Sequence, residues 1–183
     1  MSERKLPVNP LNFNISKEDL SRFLNEIASQ LESEPGKSSV PVPSVVVKSV
    51  NAEGNQESFI YNITADMNDA QAKNEAFRTI GRHLADDRKI PLMVCMVTSA
   101  WIVKEKQDKL SGLQPSRHPK RKDAIVVSAL SINRICLMSY AELKKGRIES
   151  FSEPMGGESN LMEQIYLAYA DRLQERIGDR GNA

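Results

Sequence analysis

The stretch Leu92–Val103, LMVCMVTSAWIV, constrains the fold more than any other part of the chain. Side chains alternate across a strand, so Leu92, Val94, Met96, Ala100 and Ile102 fall on one face and Met93, Cys95, Val97, Trp101 and Val103 on the other. Both rows are apolar, as in a central strand covered on both sides. Pro91, just before it, prevents a helix from running in from upstream. The rest of the chain must therefore cover two faces of a sheet.

Three amphipathic segments are available for that. Ser16 with Asp19 three positions later is a capping-box signature, and Leu20, Phe23, Leu24, Ile27, Ala28 and Leu31 recur at helical spacing, which predicts a helix of about four turns. A second helix is expected to start near Asp66 or Asn68 and to carry Phe77, Ile80 and Leu84 on one face as far as Asp86. The third follows Pro154-Met155-Gly156-Gly157, with Met162, Ile165, Tyr166, Tyr169, Leu173 and Ile177 as its buried stripe and Gly178 as its stop.

Strand signals come in pairs. Ser44–Val50 and Ser58–Ile63 flank the turn-like Asn51-Ala52-Glu53-Gly54-Asn55 and predict a hairpin. Ala124–Leu130 and Arg134–Leu143, joined at Ser131-Ile132-Asn133, predict another, and Lys144-Lys145-Gly146 turns the chain into a short strand near Ile148–Phe151. The expected fold is α+β, a mainly antiparallel sheet packed with about three helices. At 183 residues one core is expected, over 16–178, with a loose arm at 1–15, a Pro/Ser-rich loop at 32–43 and a tail at 179–183. Gly36-Lys37-Ser38 in that loop does not make a phosphate-binding loop, because the earlier glycine position is Leu31 and a helix precedes it.

Composition narrows the function classes. With Lys+Arg 25 against Asp+Glu 24, the chain as a whole has no pull toward nucleic acid or anionic membrane. The longest apolar run, Leu92–Val97, is far below the ~18 residues of a membrane span, and the opening MSERKLPVNP has no apolar core, so a cytoplasmic location is expected. Cys95 and Cys136 both sit in apolar strand-like runs and are expected as buried, reduced thiols. A zinc site would need a carboxylate-rich ligand set beside two histidines, so no metal and no cofactor are expected.

The densest chemistry lies in the basic loop 104–123. It carries Lys104, Lys106, Lys109, Arg117, Lys120, Arg121 and Lys122, with His118 among them. Lys and Arg at such density are what phosphates reward, yet the loop contains no aromatic on which a base could stack. The competing reading is a solvated loop that protects strand ends from pairing with other chains. His118 could serve as a base, but no Ser/His/Asp or Cys/His spacing identifies a nucleophile for it. His83, on the second helix, reads as a surface or boundary residue. Trp101, the single tryptophan, is expected in the core; the alternative is a half-buried indole that anchors a partner.

Thr98-Ser99-Ala100-Trp101-Ile102, followed by Pro115-Ser116-Arg117-His118-Pro119-Lys120-Arg121-Lys122-Asp123, resembles uncharacterised bacterial and phage-borne proteins of unknown function. Their pattern runs Ser-Glu-Ala-Trp, then Pro-Ser-x-x-Pro-x-Arg-x-acid, and the likeness spans residues 90–140. Ser99 stands where that pattern has an acid, so no carboxylate role passes to it. The resemblance implies a strand, a loop and a strand, and no reaction. Alternation then puts Arg121 and Asp123 on one side of the incoming strand and Lys122 on the other, with the arginine paired locally.

The leading expectation is a non-enzymatic cytoplasmic interaction domain that self-associates as a homodimer, because a twofold copy can close whatever sheet surface three helices leave bare. The alternatives are a nucleic-acid-associated accessory protein using the basic loop 104–122, and a hydrolase-like enzyme whose site includes His118.

Overall fold

The computed structural model describes residues 13–33, 42–103 and 117–181. Most of the arm, the greater part of the 32–43 loop with Gly36-Lys37-Ser38, and Lys104, Lys106 and Lys109 lie outside them. The described elements are α1 (Lys17–Ser33), β1 (Ser44–Val50), β2 (Gln56–Asn62), α2 (Ala70–Asp86), β3 (Ile90–Ile102), β4 (Lys122–Ser131), β5 (Cys136–Lys144), β6 (Arg147–Ile148), β7 (Met155–Gly156) and α3 (Asn160–Gly181). The fold is α+β. Its strands make one antiparallel sheet in the order β2-β1-β3-β4-β5-β6, with β7 also on β5.

β3 takes the central place its sequence predicts, between β1 and β4. Both its faces are buried from Ile90 to Cys95, and Val97 is buried with them. Beyond Val97 the cover fails: Ser99 is exposed and Trp101 is 49 % exposed, so the indole is not a core residue. The physical reason is the reach of the helices, which lie over the other end of the strand.

Register assigns the helices to faces. Val47, Val94 and Leu130 share one side, joined by Phe59 and Tyr61 of β2 and Cys136 of β5. The α2 side is marked by Lys89, just past the helix, which sits 3.9 Å over the Phe59 ring, and by Asp87, whose charge is felt at Tyr61. Tyr166 of α3 donates its hydroxyl to the carbonyl of Leu130 at 3.0 Å. α2 and α3 therefore pack together over this side. Their crossing is close: a Cβ added to Gly81 would lie 2.2 Å from the Ile165 carbonyl oxygen and 3.0 Å from the Tyr169 nitrogen.

The opposite side carries Val46, Cys95, Val97, Val127, Ala129 and Leu137, and among the described elements α1 covers it, running across β4 and β5. The capping box forms as expected: Ser16 Oγ accepts from Asp19 N at 3.1 Å and Asp19 Oδ2 accepts from Ser16 N at 3.2 Å. Leu20, Phe23, Leu24, Ile27 and Ala28 face the sheet, while Leu31 is half-buried. At the far end, Glu32 Oε1 accepts from Phe151 N at 2.8 Å and ties α1 to the chain beyond β6.

Several boundaries differ from expectation. The cap of α2 is Asp69, whose carboxylate accepts from Gln71 N and Ala72 N at 2.8 and 3.1 Å; Asp66 instead accepts from Asn68 N in the turn before it. β2 begins at Gln56, two residues early, because Asn51 Oδ1 takes the amides of Glu53 and Asn55 and closes the turn sooner. α3 runs through Gly178, since one glycine costs a helix interior only about 1 kcal/mol, and Ile177 lies past the packed stripe at 72 % exposure. The last strand, expected near Ile148–Phe151, is the shorter β6 at Arg147–Ile148, and β7 forms in what reads as a Pro/Gly turn, because Leu137 and Met138 leave ladder groups for Met155 and Gly156 to meet.

Candidate interaction surface

The residues singled out in the sequence meet where β3 ends and β4 begins. Register sets Trp101 opposite Asp123 and Ile102 opposite Lys122. The chain reaches β4 through a turn: Arg121 N donates to the His118 carbonyl at 3.1 Å, with Pro119 fixing φ at the second position. The His118 ring closes the turn from the side, its Nδ1 accepting from Lys120 N at 3.2 Å, and it is buried. His118 thus shapes the approach to β4, while Arg117, Lys120, Arg121 and Lys122 around it are exposed.

Alternation separates the neighbouring cations as the sequence predicts. Arg121 follows the Trp101 side, and its guanidinium carbon lies 5.4 Å from the centre of the indole, within the range of a cation–π contact. Lys122 points to the other side, where its Nζ is 3.0 Å from Glu142 Oε2. Glu142 is buried and Lys122 half-exposed, so the ion pair closes one side of the strand start. The local pairing expected of Arg121 includes the Trp101 indole, while Lys122 pairs with Glu142.

A second exposed position is not anticipated from the sequence. Ile60, in the middle of β2, is 71 % exposed and points to the α1 side, being opposite Val46. The signal was the alternation of QESFIYN, but only topology shows that β2 is an edge strand with α1 too far along the sheet to cover it. On the α1 side, then, the apolar side chains of Ile60 and Trp101 stand in solvent.

Elsewhere the titratable groups are structural. Cys95 is fully buried and its thiol is pushed far up by desolvation. Cys136 is half-buried, not enclosed, because it lies near the start of β5; burial raises its thiol, helped by the charges of Glu163 and Glu158. Tyr169 is raised to about 12 by burial. His83 is exposed. Among the described residues no group of three His, Cys, Asp or Glu side chains is placed to hold a metal ion, and no helix is long and apolar enough to cross a membrane. In comparisons with family models, with curated proteins and with solved structures, none matches this chain.

Proposed function

We propose that this chain is an interaction domain that associates with a second copy of itself and works through its surface. The observation that carries this reading is the uneven cover of the sheet. Among the described elements two helices pack over one side, whereas α1 serves the other, where Ile60 and Trp101 are exposed. A half-exposed tryptophan, apolar in body with a polar N–H, is a residue type enriched at contact sites. Tryptophan with arginine is moreover the pair of residue types that most often carries binding energy at the centre of an interface. Sedimentation of the intact chain over a dilution series tests the reading: a one-chain and two-chain equilibrium that shifts with concentration is expected, and a single one-chain species throughout would end it.

A second reading is favoured by one specific arrangement. Trp101 supplies, beside the basic segment, the aromatic surface that the loop itself lacks, and Arg117, Lys120 and Arg121 are exposed next to it. Stacking plus cations is how single-stranded nucleic acid is held without sequence preference. Because Trp101 is the only tryptophan, its fluorescence reports directly on that site. Quenching by a single-stranded oligonucleotide at low salt, lost steeply as salt rises, is the expected result for this reading. Emission unchanged by the oligonucleotide would remove it.

A further inference from the structure

We infer that the second copy docks at the free edge of β2, so that two sheets join into one across a twofold axis. The inference rests on the self-association proposed above and assigns it a surface and a geometry.

Antiparallel pairs alternate between residues that exchange hydrogen bonds and residues that do not. Two bonds fix the phase between β1 and β2: Ile63 N donates to the Pro43 carbonyl at 2.7 Å, and Asn51 N donates to the Asn55 carbonyl at 3.0 Å. With the register Val45↔Tyr61, Val47↔Phe59 and Ser49↔Glu57, the odd-numbered residues of β2 are the ones that bond to β1. The amides and carbonyls of Gln56, Ser58, Ile60 and Asn62 therefore point outward. β2 is the end of the sheet, and among the described residues no hydrogen bond is made to those outward groups.

The two edges of the sheet are treated differently. Along β5 the returning chain takes up the edge: Glu149 N donates to the Glu142 carbonyl, Ser152 N to the Tyr140 carbonyl and Gly157 N to the Cys136 carbonyl, at 3.0, 2.9 and 3.2 Å. β2 has no such cover among the described residues and none of the usual protections. It contains no proline and no lysine, its pairing with β1 has no bulge, and Ile60 on it is 71 % exposed. An edge of this kind is a template for another strand.

The strand is complementary to itself. Pairing two copies antiparallel about Phe59 sets Ser58 against the partner's Ile60 and Gln56 against the partner's Asn62, so every outward group meets an outward group. Phe59 then lies beside the partner's Phe59, and cross-strand aromatic neighbours are favourable. The charges near the axis are compensated within each chain: Glu57, the single charged residue of β2, has Lys89 Nζ at 3.4 Å and accepts from Asn51 Nδ2 at 3.0 Å, and Lys89, which lies over Phe59 and so approaches its own copy, also has Asp87 at 3.8 Å. A second copy of this chain is thus the occupant that the edge fits in hydrogen bonding, side chains and charge.

The experiment uses the intact chain, Ile60→Lys, and Ser58→Pro. The proline replaces an outward amide, which an edge strand tolerates, and the lysine places a charge where the partner strand must come. Sedimentation gives the dissociation constant, circular dichroism the fold, and residue-specific amide exchange the edge. Both variants are expected to keep the fold and to weaken association at least about tenfold. In the wild type, the amides of Ser58 and Ile60 are expected to exchange more slowly on concentration, while those of Phe59 and Tyr61 stay slow throughout. A wild type that pairs, with variants that pair equally well or with fast Ser58 and Ile60 amides, overturns the β2 edge and leaves self-association standing. A wild type that never pairs overturns both. Should a variant fail to fold, the wild-type amide exchange decides by itself.

Discussion

Gly81 shows how one missing side chain sets a helix crossing. Its Cβ would have to occupy a place 2.2 Å from the Ile165 carbonyl oxygen and 3.1 Å from the Ala168 Cβ, and the nearest obstacle is backbone, which cannot rotate away. Gly81→Ala is therefore expected to destabilise by roughly 1–3 kcal/mol, despite the better helix propensity of alanine, because overpacking exceeds the propensity gain. Thermal unfolding checks this, and a variant more stable than the wild type would contradict the crossing. The two cysteines make a second comparison at this scale. Cys95 is enclosed and its thiol is raised by burial, whereas Cys136 is half-exposed. A thiol reagent under native conditions is expected to modify Cys136 and leave Cys95 untouched until the chain unfolds; equal rates would show that the sheet opens at β3.

At the scale of elements, the start of α1 links a local motif to pH. Hydrogen bonds from the Ser16 hydroxyl and amide, then the charges of Arg22 and Lys48, hold the Asp19 carboxyl below its ordinary 3.8. A carboxyl depressed in the folded state stabilises above its unfolded pKa and loses that contribution as pH falls through the lower folded value. The melting temperature of the wild type should exceed that of Asp19→Asn at neutral pH, and the difference should narrow below pH 3.8. A constant difference across that range would show that the box acts by shape alone. Elements of this kind were legible in the sequence, because capping, spacing and alternation are written within a few residues of one another. Ser16 with Asp19, the stripe of α1 and the two-sided burial of β3 as far as Val97 read correctly. What did not read correctly depends on partners distant along the chain. Trp101 alternates like a core residue, yet no helix reaches it. Gly178 resembles a stop, yet nothing beyond it requires the helix to end. β7 exists only because Leu137 and Met138 lie beside Met155 and Gly156.

The candidate site was half legible for the same reason. Charge density drew attention to Arg117–Lys122, and alternation separated Arg121 from Lys122, but whether each found a carboxylate or an indole depended on strand register. Ile60 carries no signal of its own, because an isoleucine in a strand is ordinary until the strand proves to be an edge.

For the whole molecule, the distribution of helices matters most. Among the described residues, two cross each other over one side of the sheet, one lies across β4 and β5 on the other, one edge is taken up by the returning chain and the other has no hydrogen bond to its outward groups. An edge with four outward residues and an exposed isoleucine is a template for another strand, and the proposed self-association uses it. Light scattering on the intact chain at micromolar concentration is predicted to give the mass of two chains, falling toward one on dilution. The mass of a single chain at every concentration would contradict it.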